Sequence, residues 1–172
     1  MTNKNTILLY SRYNEKANEG MCKVISTLTP EEWTKHFDGF FKSVRELSAH
    51  IYTSDYSYLG RFNNLRQFKS LQDPFLTAKS FPPGTAYFEN MAEYLADRPV
   101  LDKIIRNFAE EVTEEDLAGT LRFETRGGTM ERNFGGWLLQ FFNHSAHHRG
   151  MNSVYLELLG KENDYNSFSQ IL

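Results

Sequence analysis

Four runs of apolar residues at steps of three and four, a proline-broken connection between the second and third, and one alternating stretch before the fourth predict an all-α chain. The expected architecture is a four-helix bundle with a small β-hairpin before the last helix, formed by residues 1–172 as a single domain. A chain of 172 residues can bury about two-thirds of its unfolded surface in one core, so folding requires no disulfide staple.

The first run carries Tyr10, Tyr13, Ala17, Met21, Val24 and Leu28 on one helical stripe. Thr29-Pro30-Glu31-Glu32 then reads as a capping box with proline at the first helical position, so a helix starts there. From Trp33 to about Phe62, the residues Phe37, Phe40, Val44, Leu47, Ile51 and Ser54 keep the stepping, which predicts a second long helix with His50 beside its stripe. Between Asn63 and Gly84 the pattern dissolves. Asp73-Pro74 and Pro82-Pro83-Gly84 forbid a continuous helix, so this stretch is expected to be a long surface connection bordering a pocket.

Tyr87, Met91, Tyr94, Leu101, Ile105, Phe108 and Val112 share a register that runs through Pro99, which predicts two helical pieces with a kink near Arg98. Leu121, Phe123 and Thr125 alternate with Arg122, Glu124 and Arg126 before Gly127-Gly128, the pattern of a hairpin with a glycine turn. The last helix, Phe134 to Leu159, places Trp137, Phe141, His144, His148, Met151, Tyr155 and Leu158 on its apolar stripe. Two histidines therefore fall on a face that should look inward.

Nineteen basic and twenty-two acidic residues leave a net charge of −3 with no basic block, so no nucleic-acid partner is expected. No stretch approaches the roughly 20 apolar residues of a membrane span, and no membrane association is expected. A single cysteine, Cys22, and an N-terminus without a signal-peptide apolar run point to the cytoplasm. Cys22 has no histidine neighbour in sequence and reads as structural.

His144 and His148 are four residues apart, so their side chains point within about 40° of each other and lie roughly 6 Å apart on a helix. Two imidazoles desolvated together oppose each other's protonation, and a shared cation removes that cost. A histidine near an apolar stripe is more often a hydrogen-bonded packing residue, and periodicity leaves both His36 and His50 open as a third ligand. Fourteen residues, about 21 Å of helix, separate the two, so they cannot bind the same ion. His147 is rotated away by about 60° and falls at the edge of the site.

Neutral imidazoles suit zinc, nickel, iron or copper, and three protein nitrogens with an open position form the pattern of catalytic rather than structural sites. Such an ion acidifies a bound water or accepts a substrate thiol. Asn143, His147, Arg149, Asp55 and Tyr52, together with Tyr58, are candidates for orienting the ligands or meeting the substrate. Asp55 lies about 140° around the helix from His50 and is expected to pair with Arg149; an exposed Arg149 could instead receive an anionic substrate.

The segment Asn143-His144-Ser145-Ala146-His147-His148-Arg149-Gly150 resembles the NHxxHHRGQ signature of the DinB/YfiT-like family. Tyr13-Asn14 and Ala17-Asn18 resemble its N-terminal YNxWAN pattern. His50-Ile51-Tyr52, Asp55 and Leu59-Gly60-Arg61-Phe62 resemble its second-helix motif. The resemblance implies an up-down-down-up four-helix bundle and a divalent metal held by His50, His144 and His148, which selects His50 over His36. It also implies a homodimer and transfer involving a small thiol; the open coordination position extends the expectation to metal-dependent transfer or hydrolysis of a small thiol or anionic substrate, and the absence of an assigned acid/base residue leaves a non-catalytic metal-binding role in stress response as the alternative. Met151 replaces the signature's glutamine, and Glu15-Lys16 replace the aromatic of the N-terminal pattern.

Overall fold

The computed structural model describes residues 3–79, 81, 87–125 and 127–172. Seven α-helices are described: α1 Lys4–Ile25, α2 Pro30–Thr34, α3 Val44–Phe62, α4 Pro74–Thr77, α5 Met91–Glu111, α6 Glu114–Ala118 and α7 Phe134–Leu158. Strands β1 Thr120–Thr125 and β2 Gly128–Asn133 form an antiparallel hairpin between α6 and α7.

Side-chain polarity caps these helices as the sequence prescribes. Asn3 accepts from the Thr6 amide at α1, Ser43 from Glu46 at α3, and Asn133 from Gly136 at α7. At α2, Thr29 accepts from the Glu32 amide while the Glu32 carboxylate accepts from the Thr29 amide. Thr29→Ala is expected to cost about 1 kcal/mol, read as a lower urea midpoint with an unchanged slope.

Contacts along the four long helices fix their directions. Glu15 with Arg106 and Asn18 with Asp102 run in opposite order, so α1 and α5 are antiparallel. Tyr10 with Phe142, then Asn18 with Arg149, run in the same order, so α1 and α7 are parallel. Ser48 with Asn152 and Phe62 with Phe134 make α3 and α7 antiparallel. The bundle is therefore up-down-down-up. At one end Phe62, Phe68, Phe108, Phe134 and Phe141 interlock, with Phe62 stacked on Phe108 at 5.4 Å.

Three expectations are corrected. The second long helix is interrupted: α2 ends at Thr34 and α3 begins at Val44, with residues 35–43 looping over α7. There Phe37 stacks on Tyr155 at 4.4 Å and the Tyr155 hydroxyl donates to the Phe41 carbonyl at 2.6 Å. A Cβ at Gly39 would sit 1.9 Å from that hydroxyl, so the close approach requires glycine. Phe40, placed on the stripe, is 86% exposed.

The third helix is one piece rather than two. Pro99 faces solvent, so its ring removes one hydrogen bond while α1 packs along the helix on the other side. The connection after Asn63 contains a 3-10 turn at Lys69–Gln72 and α4, which Glu111 anchors by accepting from the Lys69 and Ser70 amides. The expected break at Pro82-Pro83-Gly84 lies outside the described residues. The glycine turn is as expected: Thr125 pairs with Gly128, whose φ of 105° favours glycine.

The buried face of α7 is also rotated from the predicted stripe. Phe134, Leu138, Phe141, Phe142, Ser145, Arg149, Asn152, Tyr155 and Leu156 are buried, whereas His144, His148 and Met151 sit at the margin and Leu158 is 63% exposed. Among the described residues, no helix is long and apolar enough to cross a membrane.

Candidate metal centre

The interrupted second helix shapes the site. α3 carries His50 toward the middle of α7, where His144 and His148 project one turn apart from an antiparallel backbone. The His144 and His148 ring centroids lie 4.4 Å apart, and His50 is 4.5 Å from His148 and 5.2 Å from His144. The Nε2 atoms of His50 and His148 face each other at 3.2 Å, and one ring nitrogen from each of the three residues lies within 4.8 Å of the others. All three rings are half-buried. Phe41, from the 35–43 loop, packs 4.5 Å from His50 and 5.5 Å from His148, and Tyr58 lies 5.7 Å from His144 on the other side.

This donor set fits a divalent transition metal. Nitrogens sharing an ion at about 2.0–2.1 Å are separated by about 3.0–3.4 Å, which spans the His50 to His148 distance. At 3.2 Å the Nε2 atoms of His50 and His148 can also share a proton, while the buried Nδ1 atoms of His144 and His148 have no hydrogen-bond partner among the described residues. Burial lowers the proton affinity of all three rings. His50 falls to about 4 through desolvation, reinforced by His144 and opposed by Asp55. His148 falls to about 4 through desolvation and the three neighbouring imidazoles, and His144 falls through desolvation against the pull of Asp55. The rings are therefore neutral at pH 7, the state that ligates.

A lowered folded-state value means that the unfolded chain binds more protons between about 4 and the ordinary 6.5. Stability of the metal-free protein should then be full above pH 6.5 and fall as the pH drops toward 4. Urea titrations across that window check it, and His50→Leu should flatten the profile.

The remaining predicted site residues divide. His147 is exposed at 4.8 Å from the His148 ring, outside the cluster, and Asn143 is exposed on α7. His36 lies exposed on the loop beside Asp38. Tyr52 turns away from the histidines, with its hydroxyl bonded to Asp97 and Tyr56. Burial pushes the Cys22 thiol up to about 12, consistent with a structural role.

Asp55 does not pair with Arg149. It accepts from Arg98 at 2.6 Å and from Ser145, the neighbour of His144, at 3.0 Å. Arg149 is fully buried rather than exposed, and its guanidinium donates to Asn14 and Asn18 at 2.5 and 3.2 Å over the Tyr13 ring. Arg98 continues to Asp102, and Asn18 donates to the same carboxylate at 2.7 Å. Ser145, Asp55, Arg98, Asp102, Asn18, Arg149 and Asn14 thus form one buried chain of hydrogen bonds in which two carboxylates balance two guanidiniums. Sequence reasoning missed Phe41, Ser145 and Arg98; only the four-residue spacing of Arg98 and Asp102 signalled an ion pair.

A sequence profile of the DinB family matches residues 1–167. The chain belongs to the DinB family. Two solved DinB-like proteins share the fold. One, from Bacillus cereus, is 17% identical, covering 87% of this chain and 89% of its own length with a TM-score of 0.61. Another, from Bacillus subtilis, is 16% identical, covering 92% of this chain and 97% of its own, with a TM-score of 0.63. A search of curated proteins gave no match. In this DinB-family chain Met151, where the signature has glutamine, is half-buried and packs against the core.

Proposed function

We propose that this DinB-family protein holds one divalent transition metal ion, zinc, nickel or iron, on His50, His144 and His148, and uses it to transfer or hydrolyse a small substrate. The observation that carries this reading is the convergence of three neutral imidazoles from two antiparallel helices, with their ligating atoms within 4.8 Å. A bound ion supplies Lewis acidity that favours the deprotonated form of a water or thiol. Phe41 packs against His50 and His148, the Tyr58 ring packs against His144, and the Tyr58 hydroxyl, which makes no hydrogen bond among the described residues, is the candidate proton donor. Arg149 cannot meet an anionic substrate from its buried position.

A cobalt-loaded sample tests the reading: its visible spectrum should shift on adding a thiol or small anion. A spectrum indifferent to all of them would leave a metal-holding protein without catalysis. That second reading, a non-catalytic dimer, is favoured by exposed apolar side chains: Phe40 at 86%, next to Phe41 on the loop beside the histidines, and Val154 and Leu158 one turn apart toward the end of α7 at 52% and 63%. We propose the homodimer on the same ground. Sedimentation of Leu158→Glu should show monomer where the wild type shows dimer.

A further inference from the structure

We infer that the substrate carries a carboxylate at its far end and that Arg61 receives it; this rests on the metal reading above. Eleven residues separate His50 and Arg61 on α3, which brings them to within about 20° of the same helix face, three turns apart. The guanidinium leans back toward the histidines. Its carbon lies 5.9 Å from the Tyr58 ring, and that ring is 5.7 Å from His144, so Tyr58 bridges the guanidinium and the candidate metal centre.

Arg61 also covers Phe123 of the hairpin at 5.1 Å, and Trp137 closes the row, 5.7 Å from Tyr58 and 5.2 Å from Phe123. Phe123 and Trp137 come from β1 and α7, so the hairpin supplies one wall of this surface. Arg61 and Trp137 are half-buried, and Arg61 has no carboxylate partner among the described residues, in contrast to the neighbouring Arg122, which pairs with Glu131. The buried Trp137 Nε1 likewise has no acceptor. A guanidinium stacked on rings keeps its planar donor edge free for a bidentate oxyanion, and a single cation matches a single negative charge. The aromatic floor between this cation and the histidines suits an apolar or amide spacer of about 10 Å, the length of an extended tripeptide.

The test separates the anion site from the metal. The protein has two tryptophans, so a 15N-labelled metal-free sample gives two indole signals, assigned by Trp137→Phe. Titration with 8-mercaptooctanoate should shift the Trp137 signal and spare that of Trp33, with 8-mercaptooctanol at least about tenfold weaker. Arg61→Ala should remove that preference, and Arg61→Lys should keep part of it. In the cobalt-loaded protein, 8-mercaptooctanoate should bind at least about tenfold more tightly than 2-mercaptoethanol. Arg61→Ala should abolish that gain without changing 2-mercaptoethanol binding. Equal affinity for the carboxylate and the alcohol, or a preference that survives Arg61→Ala, overturns the inference. A failure of cobalt uptake or thiol response counts against the proposed function alone, because the indole titration still decides the anion site.

Discussion

His148→Ala is expected to reduce bound metal from about one equivalent per chain to near none in protein purified without an affinity tag, measured by elemental analysis. Removing even an outer hydrogen-bond partner of a ligand lowers metal affinity by about 10–100-fold, so removing the ligand itself should exceed about 100-fold. The fold should survive, because the ring sits at the margin of the core and alanine favours the helix. The metal-free variant should also lose part of the destabilisation between pH 6.5 and 4, since one of the depressed imidazoles is gone. His147→Ala, one residue away and exposed, should keep its metal and serves as the control. Full metal content in His148→Ala would refute the centre.

Arg98→Ala is expected to destabilise the protein by about 3–5 kcal/mol, because it leaves the Asp55 and Asp102 carboxylates buried without a cation. In a chain of this length that corresponds to a fall in Tm of about 10 °C. Asp102→Asn in the same background should restore part of the loss by removing one stranded charge. Metal affinity should drop as well, since Asp55 holds Ser145 beside His144, and a loss of about tenfold is the scale for disturbing such an outer contact. A thermal shift under 2 °C would mean that the carboxylates reach water or protonate when the guanidinium is removed.

Much of this architecture was legible locally. The capping box at Thr29, the turn at Gly127-Gly128 and the four-residue spacing of His144 and His148 each depend on contacts within a few residues, so the sequence displayed them directly. The errors arose where a distant surface overrode the local pattern. Residues 35–43 keep helical stepping, yet they unwind because Phe37 and Phe41 find Tyr155 and His50 on other helices. Pro99 predicts a break, yet it lies on the solvent side of a helix held by its packing on α1. Choosing His50 over His36 needed family resemblance, because both lie near the same stripe; the structure separates them by leaving His36 on the loop after α2 and starting α3, which carries His50, only at Val44.

The sequence alone determined the helical class, the hairpin and the imidazole pair, since periodicity and spacing on one helix are set by backbone geometry. Tertiary structure alone decided that the middle of the inner face of α7 is polar, with Ser145, Arg149 and Asn152 in the core between apolar residues and the histidines at its edge. A buried arginine is stable only where distant residues supply its partners, here Asn14 and Asn18 on α1. No period along a single helix can reveal which partners a neighbouring helix will bring.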